Sequence, residues 1–536
     1  MQLTQHRTNC SSAYSSANSW RLPYVLLLLV LFLALVVQWL PQLSRPPTGY
    51  LHSWNQITTL ATVRAISHDL RNLLQPRDVV VPISWDGIRQ ALPSAIPDGF
   101  PVYEEFPLYH LLSALLARSG VSVEVSSRLV SLVFWVLGGI CLFALARVGS
   151  KDPFLPMVCA AIYLSSFPLA YFGQAIMSDV AMLACVSLGF LWWARYSQQG
   201  SAYDLALAAL SIAVAALFKS YAAVFALIFI TPRSFSQEVW LRIDRRLLVR
   251  VLLIAAVLTP VVSWHVYSAF QFGDHDLLSH SVHEKIRVIF SLKLYLTLIK
   301  MWFQYFGYAV GAAVVLFYIA GAASRYVRRW SHSDWYEVES PPAWVKQWLC
   351  CVLLYAILTA DKLPFHSYYF LLAFPPLVYL SAMALAKITT LVGSRYGQRS
   401  SFMFFACLLL LNGGFAGMSL AKALKPNPDV EVCAAEISSL TQQSDLIAVL
   451  TDVSRYNSIN YYANRLGLYV EGDQYALQRY RDLGARYLLI NLEPATYASL
   501  RPWLDRELRQ AKPLWLNEQV SDFKGKKRVA AVYVLK

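Results

Sequence analysis

Polar clusters at the edges of long apolar runs are the places where this 536-residue chain could do chemistry. Four of them are Ser178-Asp179, Lys219-Ser220, the stretch 273–283 and the stretch 361–369, which contains Lys362. Ionisable side chains at a membrane edge are costly and usually mark a site or a pathway. A lysine there can stabilise the negative charge of a departing phosphate, so Lys219 and Lys362 are candidates for an anion site. The alternative is that each ammonium only reaches towards the lipid headgroups.

The stretch 273–284 is rich in side-chain types that ligate metal ions. It contains Asp274, His275, Asp276, His280 and His283. His280 and His283 would share one face if this stretch were helical, and carboxylate together with imidazole suits a divalent cation. The spacing does not match a closed zinc site. A polar interfacial loop is therefore the favoured interpretation, with a divalent metal ion as the alternative cofactor.

The elements that must position these residues are membrane-spanning helices. Hydrophobic residues make up 57% of the chain and charged residues 15%, whereas soluble domains average about 25% charged residues. Apolar runs of about 18–20 residues, long enough to cross a bilayer, recur up to residue 421. One of the twelve candidate segments, 106–118, is short for a full crossing. The sequence predicts 11–13 transmembrane helices, with residues 41–105 forming a long first external loop with interfacial helices.

Positive charge predicts which side of the membrane each connection faces. Every second connection after the third candidate segment is basic and is expected in the cytoplasm. The basic residues in these connections are Arg147, Lys151, Arg195, Arg233, Arg242, Arg245, Arg246, Arg250, Arg325, Arg328, Arg329, Arg395 and Arg399. The four polar clusters and all residues after 421 then lie on the external, periplasmic side of the cell (inner) membrane. Because these loops and their headgroup contacts account for much of the net charge of +14, nucleic acid is not an expected partner.

The last 115 residues or so, 422–536, have a different pattern from the membrane domain 1–421. Short apolar runs at Leu446–Thr451, Tyr487–Leu492 and Val529–Leu535 are typical of strands. Helical patterns lie between them, such as Asp473–Leu483, which ends before Gly484. The sequence therefore predicts a small α/β domain outside the membrane.

Several short motifs occur in a fixed order along the chain. They lie at Glu104–Tyr109 (EEFPLY), Ser126–Leu129 (SSRL), Ala175–Asp179 (AIMSD), Leu217–Ser220 (LFKS), Lys362–Tyr369 (KLPFHSYY) with Pro375-Pro376, and Tyr461–Arg465 (YYANR). Together they resemble the GT-C superfamily of membrane glycosyltransferases, especially the branch of protein O-mannosyltransferases and the aminoarabinose lipid A transferase. The resemblance covers nearly the whole chain and implies an all-α polytopic fold with a large first external loop.

The resemblance also implies a catalytic base, which in this family is an acidic residue early in the first external loop. The matching region here, Leu51–Gln56, has no acidic residue. The candidates for the base are His52, Glu105 and Asp69, because a carboxylate or a neutral imidazole can accept a proton from an acceptor group. Asp86, Asp98 and Glu104 remain as further alternatives.

Substrate-binding residues follow from the same motifs. Phe106 stands where the family has a lysine, which increases the expected importance of Lys362 and Lys219 for the donor phosphate. The remaining candidates are Arg64, Arg128, Asp179, His366, Tyr368 and Tyr369.

The expected function is transfer of a sugar from a polyprenyl-phosphate carrier to a lipid, glycan or protein acceptor at the outer face of the membrane. Two alternatives stay open. A transporter or flippase of lipid-linked sugars would be expected to show inverted repeats and charges near mid-membrane, and neither is evident. An enzyme of the O-antigen ligase or polymerase type would place its largest loop late in the chain, whereas the long loop here is early. Membrane lipids are expected partners in each case.

Overall fold

The computed structural model describes residues 26, 29, 32–33, 36–37, 39–48, 52–82, 99–101, 105–152, 154–230, 245–272, 291–292, 294, 296, 341–360, 363, 366–451, 455–470, 477–522 and 524–535. Within these ranges, five helices are long and apolar enough to cross a membrane. Shorter apolar helices accompany them at Leu108–Ala117, Leu155–Ser165, Ala202–Phe218, Ser220–Ile230 and Ala343–Leu358. The predicted total of 11–13 spans includes segments outside the described residues, such as 297–340, and stays a prediction.

The helices of the membrane domain are numbered in chain order. They are α1 Ser53–His68, α2 Leu108–Ala117, α3 Val123–Gly149, α4 Leu155–Ser165, α5 Phe167–Phe172, α6 Asp179–Gln199, α7 Ala202–Phe218, α8 Arg245–Phe272, α9 Ala343–Leu358, α10 Phe374–Tyr396 and α11 Gln398–Ala423. Turns of 3-10 helix occur at Leu40–Gln42, Leu70–Leu73, Ser220–Ile230 and Ser367–Ala373. The ten residues of α2 span only about 15 Å, in keeping with the shortness of that segment in the sequence.

A tight antiparallel pair of helices, α6 and α7, places two polar clusters at the same end of the bundle. Gly200 ends α6 at φ 74°, a left-handed conformation that glycine adopts without steric cost. Ser201 then caps α7, since its side chain accepts a hydrogen bond from the Asp204 amide. Because the reversal lies at the far end, Asp179 at the start of α6 and Lys219 at the end of α7 come together.

The outward surface of the helices is apolar, as a lipid-facing surface must be. Val133 and Ile140 on α3 are 64% and 59% exposed, and Leu210 on α7 is 60% exposed. Polar side chains instead turn inward, where Ser127, Ser131 and similar residues are buried. This inside-out distribution is the one expected of helices whose solvent is lipid.

The C-terminal region is an α/β unit, as predicted. Its helices are α12 Pro428–Leu440, α13 Tyr456–Ala463, α14 Leu477–Asp482 and α15 Pro494–Glu507. Its strands are β4 Leu446–Thr451, β5 Leu466–Tyr469, β6 Ala485–Leu492, β7 Trp515–Ser521 and β8 Lys527–Val534. The three strands predicted from the sequence correspond to β4, β6 and β8.

One strand of this sheet comes from the loop between α1 and α2. That loop contains β1 Arg77–Asp78 and β2 Val80–Pro82, and β3 Phe100–Pro101 pairs antiparallel with β1. The sheet order is β2-β5-β4-β6-β8-β7. The first four strands are parallel to one another, β8 is antiparallel to its neighbour β6, and β7 is antiparallel to β8. Residues 41–105 therefore contribute to the same sheet as residues 422–536, which ties the C-terminal region to the loop that precedes α2.

Candidate functional site

A partly buried ion pair lies where the loop between α1 and α2 meets the end of α7. The Lys219 ammonium is 3.2 Å from Glu105 Oε2, and the two side chains are 15% and 29% exposed. Lys219 is the residue that ends α7, where the chain leaves the helix in an extended conformation. Glu105 precedes Pro107, the residue before α2. The sequence predicted both residues as functional candidates, and the fold brings them together.

Aromatic side chains from the 3-10 turn Ser367–Ala373 cover this pair. The Lys219 ammonium lies 5.8 Å from the centroid of the Tyr368 ring, within the range of a cation–π contact. The rings of Tyr368 and Tyr369 are 4.7 Å apart, and His366 stacks on Tyr368 at 5.2 Å. The candidates His366, Tyr368 and Tyr369 therefore belong to one cluster with Lys219.

Asp179 joins the site through a tyrosine that sequence reasoning missed. Asp179 is fully buried at the first position of α6, where the helix dipole favours a carboxylate. Its Oδ1 accepts a hydrogen bond from the Tyr221 hydroxyl at 3.1 Å. The Tyr221 ring in turn packs 5.3 Å from Tyr369 and 5.0 Å from Tyr355. The sequence feature that could have identified Tyr221 as part of the site is its position two residues after Lys219.

His52, the residue just before α1, also belongs to this cluster. It precedes α1 in a left-handed conformation, φ 57°, which is rare for a residue other than glycine. Its ring lies 5.1 Å from Tyr368 and 6.3 Å from His366. Burial and the nearby His366 lower the pKa of His52 to about 3. The imidazole is therefore neutral at pH 7, but it is a weaker base than an ordinary histidine.

Other predicted residues have different surroundings. The Arg64 guanidinium lies 4.1 Å above the Tyr461 ring of the C-terminal region. Arg128 is buried and donates a hydrogen bond to the Leu43 carbonyl at 2.7 Å. Among the described contacts, both arginines join separate parts of the fold, and neither is part of the Lys219 cluster.

Asp69 also has a local partner. Its carboxylate pairs with Arg71 at 2.7 Å on the protein surface, and it caps the 3-10 turn Leu70–Leu73. This hydrogen-bonded pairing lowers the pKa of Asp69. No described contact joins Asp69 to Lys219 or Glu105.

Several sequence candidates lie outside the described residues. They are Lys362, Asp86, Asp98, Glu104 and the whole stretch 273–284. In the part of the chain that the structure describes, no group of three or more His, Cys, Asp or Glu side chains is arranged to hold a metal ion. The possible divalent cation, which was assigned to the stretch 273–284, stays a prediction.

The arrangement can bind an anion and accept a proton. A lysine ammonium in a partly dehydrated setting attracts a phosphate more strongly than it would in water. The Glu105 carboxylate lies 3.2 Å from this ammonium. It can therefore accept a proton from a group that approaches an anion bound to Lys219. The tyrosine and histidine rings supply flat surfaces and further hydrogen-bonding groups around this point.

Comparison with known proteins gives a likeness in structure. No protein-family profile matches the chain, and no curated protein shows significant sequence similarity to it. ArnT from Cupriavidus metallidurans bound to undecaprenyl phosphate has a TM-score of 0.57 at 13% identity, covering 96% of this chain and 98% of that chain. The apo state of that ArnT gives a TM-score of 0.52 at 13% identity with the same coverage. Arabinofuranosyltransferase AftD from Mycobacteria gives 0.48 at 15% identity, covering 88% of this chain and 36% of that chain.

The likeness to ArnT extends over the membrane helices and the C-terminal region together, because almost the full length of both chains is covered. It confirms, at the level of the fold, the GT-C resemblance predicted from the ordered sequence motifs. The exposed apolar helices and this shared architecture lead to one structural conclusion. The chain is an integral membrane protein with the GT-C fold of ArnT.

Proposed function

We propose that this protein is a glycosyltransferase that moves a sugar from a polyprenyl-phosphate carrier to an acceptor at the outer face of the membrane. The observation that carries the proposal is the Lys219–Glu105 pair at 3.2 Å, with the Tyr368 ring 5.8 Å from the ammonium. Support for the donor class comes from ArnT, whose structure contains undecaprenyl phosphate. Support for the outer face comes from the positive charge of the alternate connections.

Lys219 is the proposed phosphate-binding residue. When the sugar leaves its carrier, the bond between the anomeric carbon and the phosphate oxygen breaks and the lipid phosphate gains negative charge. An ammonium held in place by α7 stabilises that charge without having to be reorganised during the reaction. Asp179, Tyr368 and His366, which lie near it, remain proposed binding residues, and Lys362 stays a candidate from the sequence alone. The aromatic rings are suited to holding the sugar near the phosphate.

Glu105 is the proposed general base. The acceptor hydroxyl or amine must lose a proton as it attacks the anomeric carbon, and a carboxylate close to the phosphate site can take it. His52 is the less suitable candidate, because its described ring contacts are to Tyr368 and His366, whereas Glu105 lies 3.2 Å from the proposed phosphate-binding ammonium. We therefore assign His52 to shaping the pocket beside Tyr368, which its ring contacts at 5.1 Å.

The test is a reconstituted transfer assay. Purified protein is incubated with a panel of undecaprenyl-phosphate-linked sugars and with glycolipid, glycan and peptide acceptors, and the labelled product is measured. Lys219→Met and Glu105→Gln should each lower transfer by at least a hundredfold, whereas Lys422→Met, an exposed cation at the end of α11, should not. Movement of the lipid-linked sugar across liposomes without release of the sugar would instead support the flippase alternative.

A further inference from the structure

The turn between α5 and α6, residues 173–178, is bonded by side chains of α1 and α3. This turn leads directly into Asp179. Residues 173–177 are buried in the protein, so the polar groups of their backbone must be satisfied by other protein groups. The residues that satisfy them therefore also determine where the Asp179 carboxylate lies.

Gln56 of α1 makes the contacts from the first external loop. Its side chain is fully buried. Its Oε1 accepts a hydrogen bond from the Ile176 amide at 3.0 Å, and its Nε2 donates to the Tyr171 hydroxyl at 3.2 Å. A single amide group thus binds both the end of α5 and the turn, three residues before Asp179.

Helix α3 holds the adjacent carbonyl of the turn, and a side chain of α2 contacts the serine that does so. Ser131 of α3 donates a hydrogen bond to the Ala175 carbonyl at 2.7 Å. The Tyr109 hydroxyl of α2 lies 2.8 Å from Ser131 Oγ and donates to the Ser127 carbonyl at 2.7 Å. Tyr109 is four residues after Glu105. The turn is therefore connected both to α1, which begins after His52, and to α2, which begins after Glu105.

We propose that Gln56 is a positioning residue for the proposed phosphate site at Lys219 and that it acts through Asp179. This role rests on the proposed function above. Gln56 itself touches neither Lys219 nor Glu105 in the described contacts. It fixes the turn, the turn fixes Asp179, and Asp179 holds the Tyr221 hydroxyl at 3.1 Å. Tyr221 packs on Tyr369 beside the phosphate-binding ammonium. Loss of the Gln56 amide would leave the buried Ile176 amide without this acceptor, and the turn would shift to recover one.

Gln56→Met tests the role, with Gln347→Met as the matched control. Gln347 is also a buried glutamine bonded to α6, since its Oε1 accepts from Trp193 Nε1 at 2.9 Å. Trp193 is 14 residues after Asp179, about 21 Å along the helix. Both substitutions replace a buried amide by a thioether of similar size, so they should lower the melting temperature by similar amounts. Only Gln56→Met should weaken binding of undecaprenyl phosphate, by at least fivefold; Gln347→Met should change it less than twofold.

A double-mutant cycle with Asp179→Asn distinguishes the positioning role of Gln56 from general destabilisation of the protein. If Gln56 acts through Asp179, then Gln56→Met should weaken binding less than twofold further in the Asp179→Asn background. Equal binding by Gln56→Met and Gln347→Met, or fully additive losses in the double variant, would overturn the positioning role. Absence of undecaprenyl phosphate binding by the unmodified protein is a separate outcome, which would overturn the proposed function itself and the positioning role with it.

Discussion

The Lys219–Glu105 pair leads to an unusual expectation, because its two members should affect donor binding in opposite directions. At 3.2 Å and an effective dielectric constant of about 20, the Coulomb attraction between the two charges is about 5 kcal/mol. A lipid phosphate that binds Lys219 must share the ammonium with this carboxylate. Under the proposed function, Glu105 therefore competes with the phosphate for Lys219.

The two substitutions should separate these effects. Lys219→Met removes a charged hydrogen-bond donor, which contributes about 2 kcal/mol and corresponds to about thirtyfold weaker binding of undecaprenyl phosphate. Glu105→Gln removes a nearby negative charge that repels the phosphate by about 1 kcal/mol after screening, so the same lipid should bind about fivefold more tightly. Transfer by Glu105→Gln should nevertheless fall by at least a hundredfold, because the proposed base is lost.

Equilibrium binding of labelled undecaprenyl phosphate to purified protein, followed by transfer rates for the same preparations, provides the measurement. Lys422→Met and Glu431→Gln are exposed charge controls, and both should leave binding within twofold of the unmodified protein. Weaker binding by a correctly folded Glu105→Gln protein would refute the competition between the carboxylate and the phosphate. Unchanged binding by Lys219→Met would refute the assignment of Lys219 as the phosphate ligand.

Further predictions concern the site and the sheet that joins the first loop to the C-terminal region. Tyr221→Phe removes the only described hydrogen bond to the Asp179 side chain, at 3.1 Å, and should lower the transfer rate about tenfold without preventing folding; an unchanged rate would contradict the role of this bond. Burial raises the pKa of Asp78 from 3.8 to about 6, so its stabilising contribution is complete below pH 3.8 and is lost as the pH rises through 6. The free energy of unfolding of the unmodified protein, relative to that of Asp78→Asn, should accordingly fall between pH 5 and 7.5. This fall is part of a total of about 3 kcal/mol over the whole pH range. The surface variant Asp69→Asn should show no such pH dependence in thermal unfolding. Gly467→Ala would place a methyl carbon 2.5 Å from a side-chain nitrogen of α13 and should destabilise the protein by about 1–3 kcal/mol; an unchanged melting temperature would show that this junction is loosely packed.

The sequence alone determined the features that depend on local pattern. Apolar runs predicted membrane helices, and short apolar runs with strand-like flanks predicted β4, β6 and β8, because burial follows the periodicity of each element. Lys219 and Asp179 were identifiable as candidates because an ionisable residue at the end of an apolar helix is costly in lipid. The order of short motifs also predicted the GT-C fold, which the likeness to ArnT confirms.

Only the tertiary structure decided which of these candidates meet. Lys219 and Glu105 are 114 residues apart in the chain, yet α2 and α7 bring their charges to 3.2 Å, whereas Arg128 is used to bond the Leu43 carbonyl. Gln56 and the strand β2 showed no functional signal in the sequence, because their partners lie on distant elements. Local pattern fixes which residues must leave water, but the packing of helices and strands decides which polar groups satisfy one another.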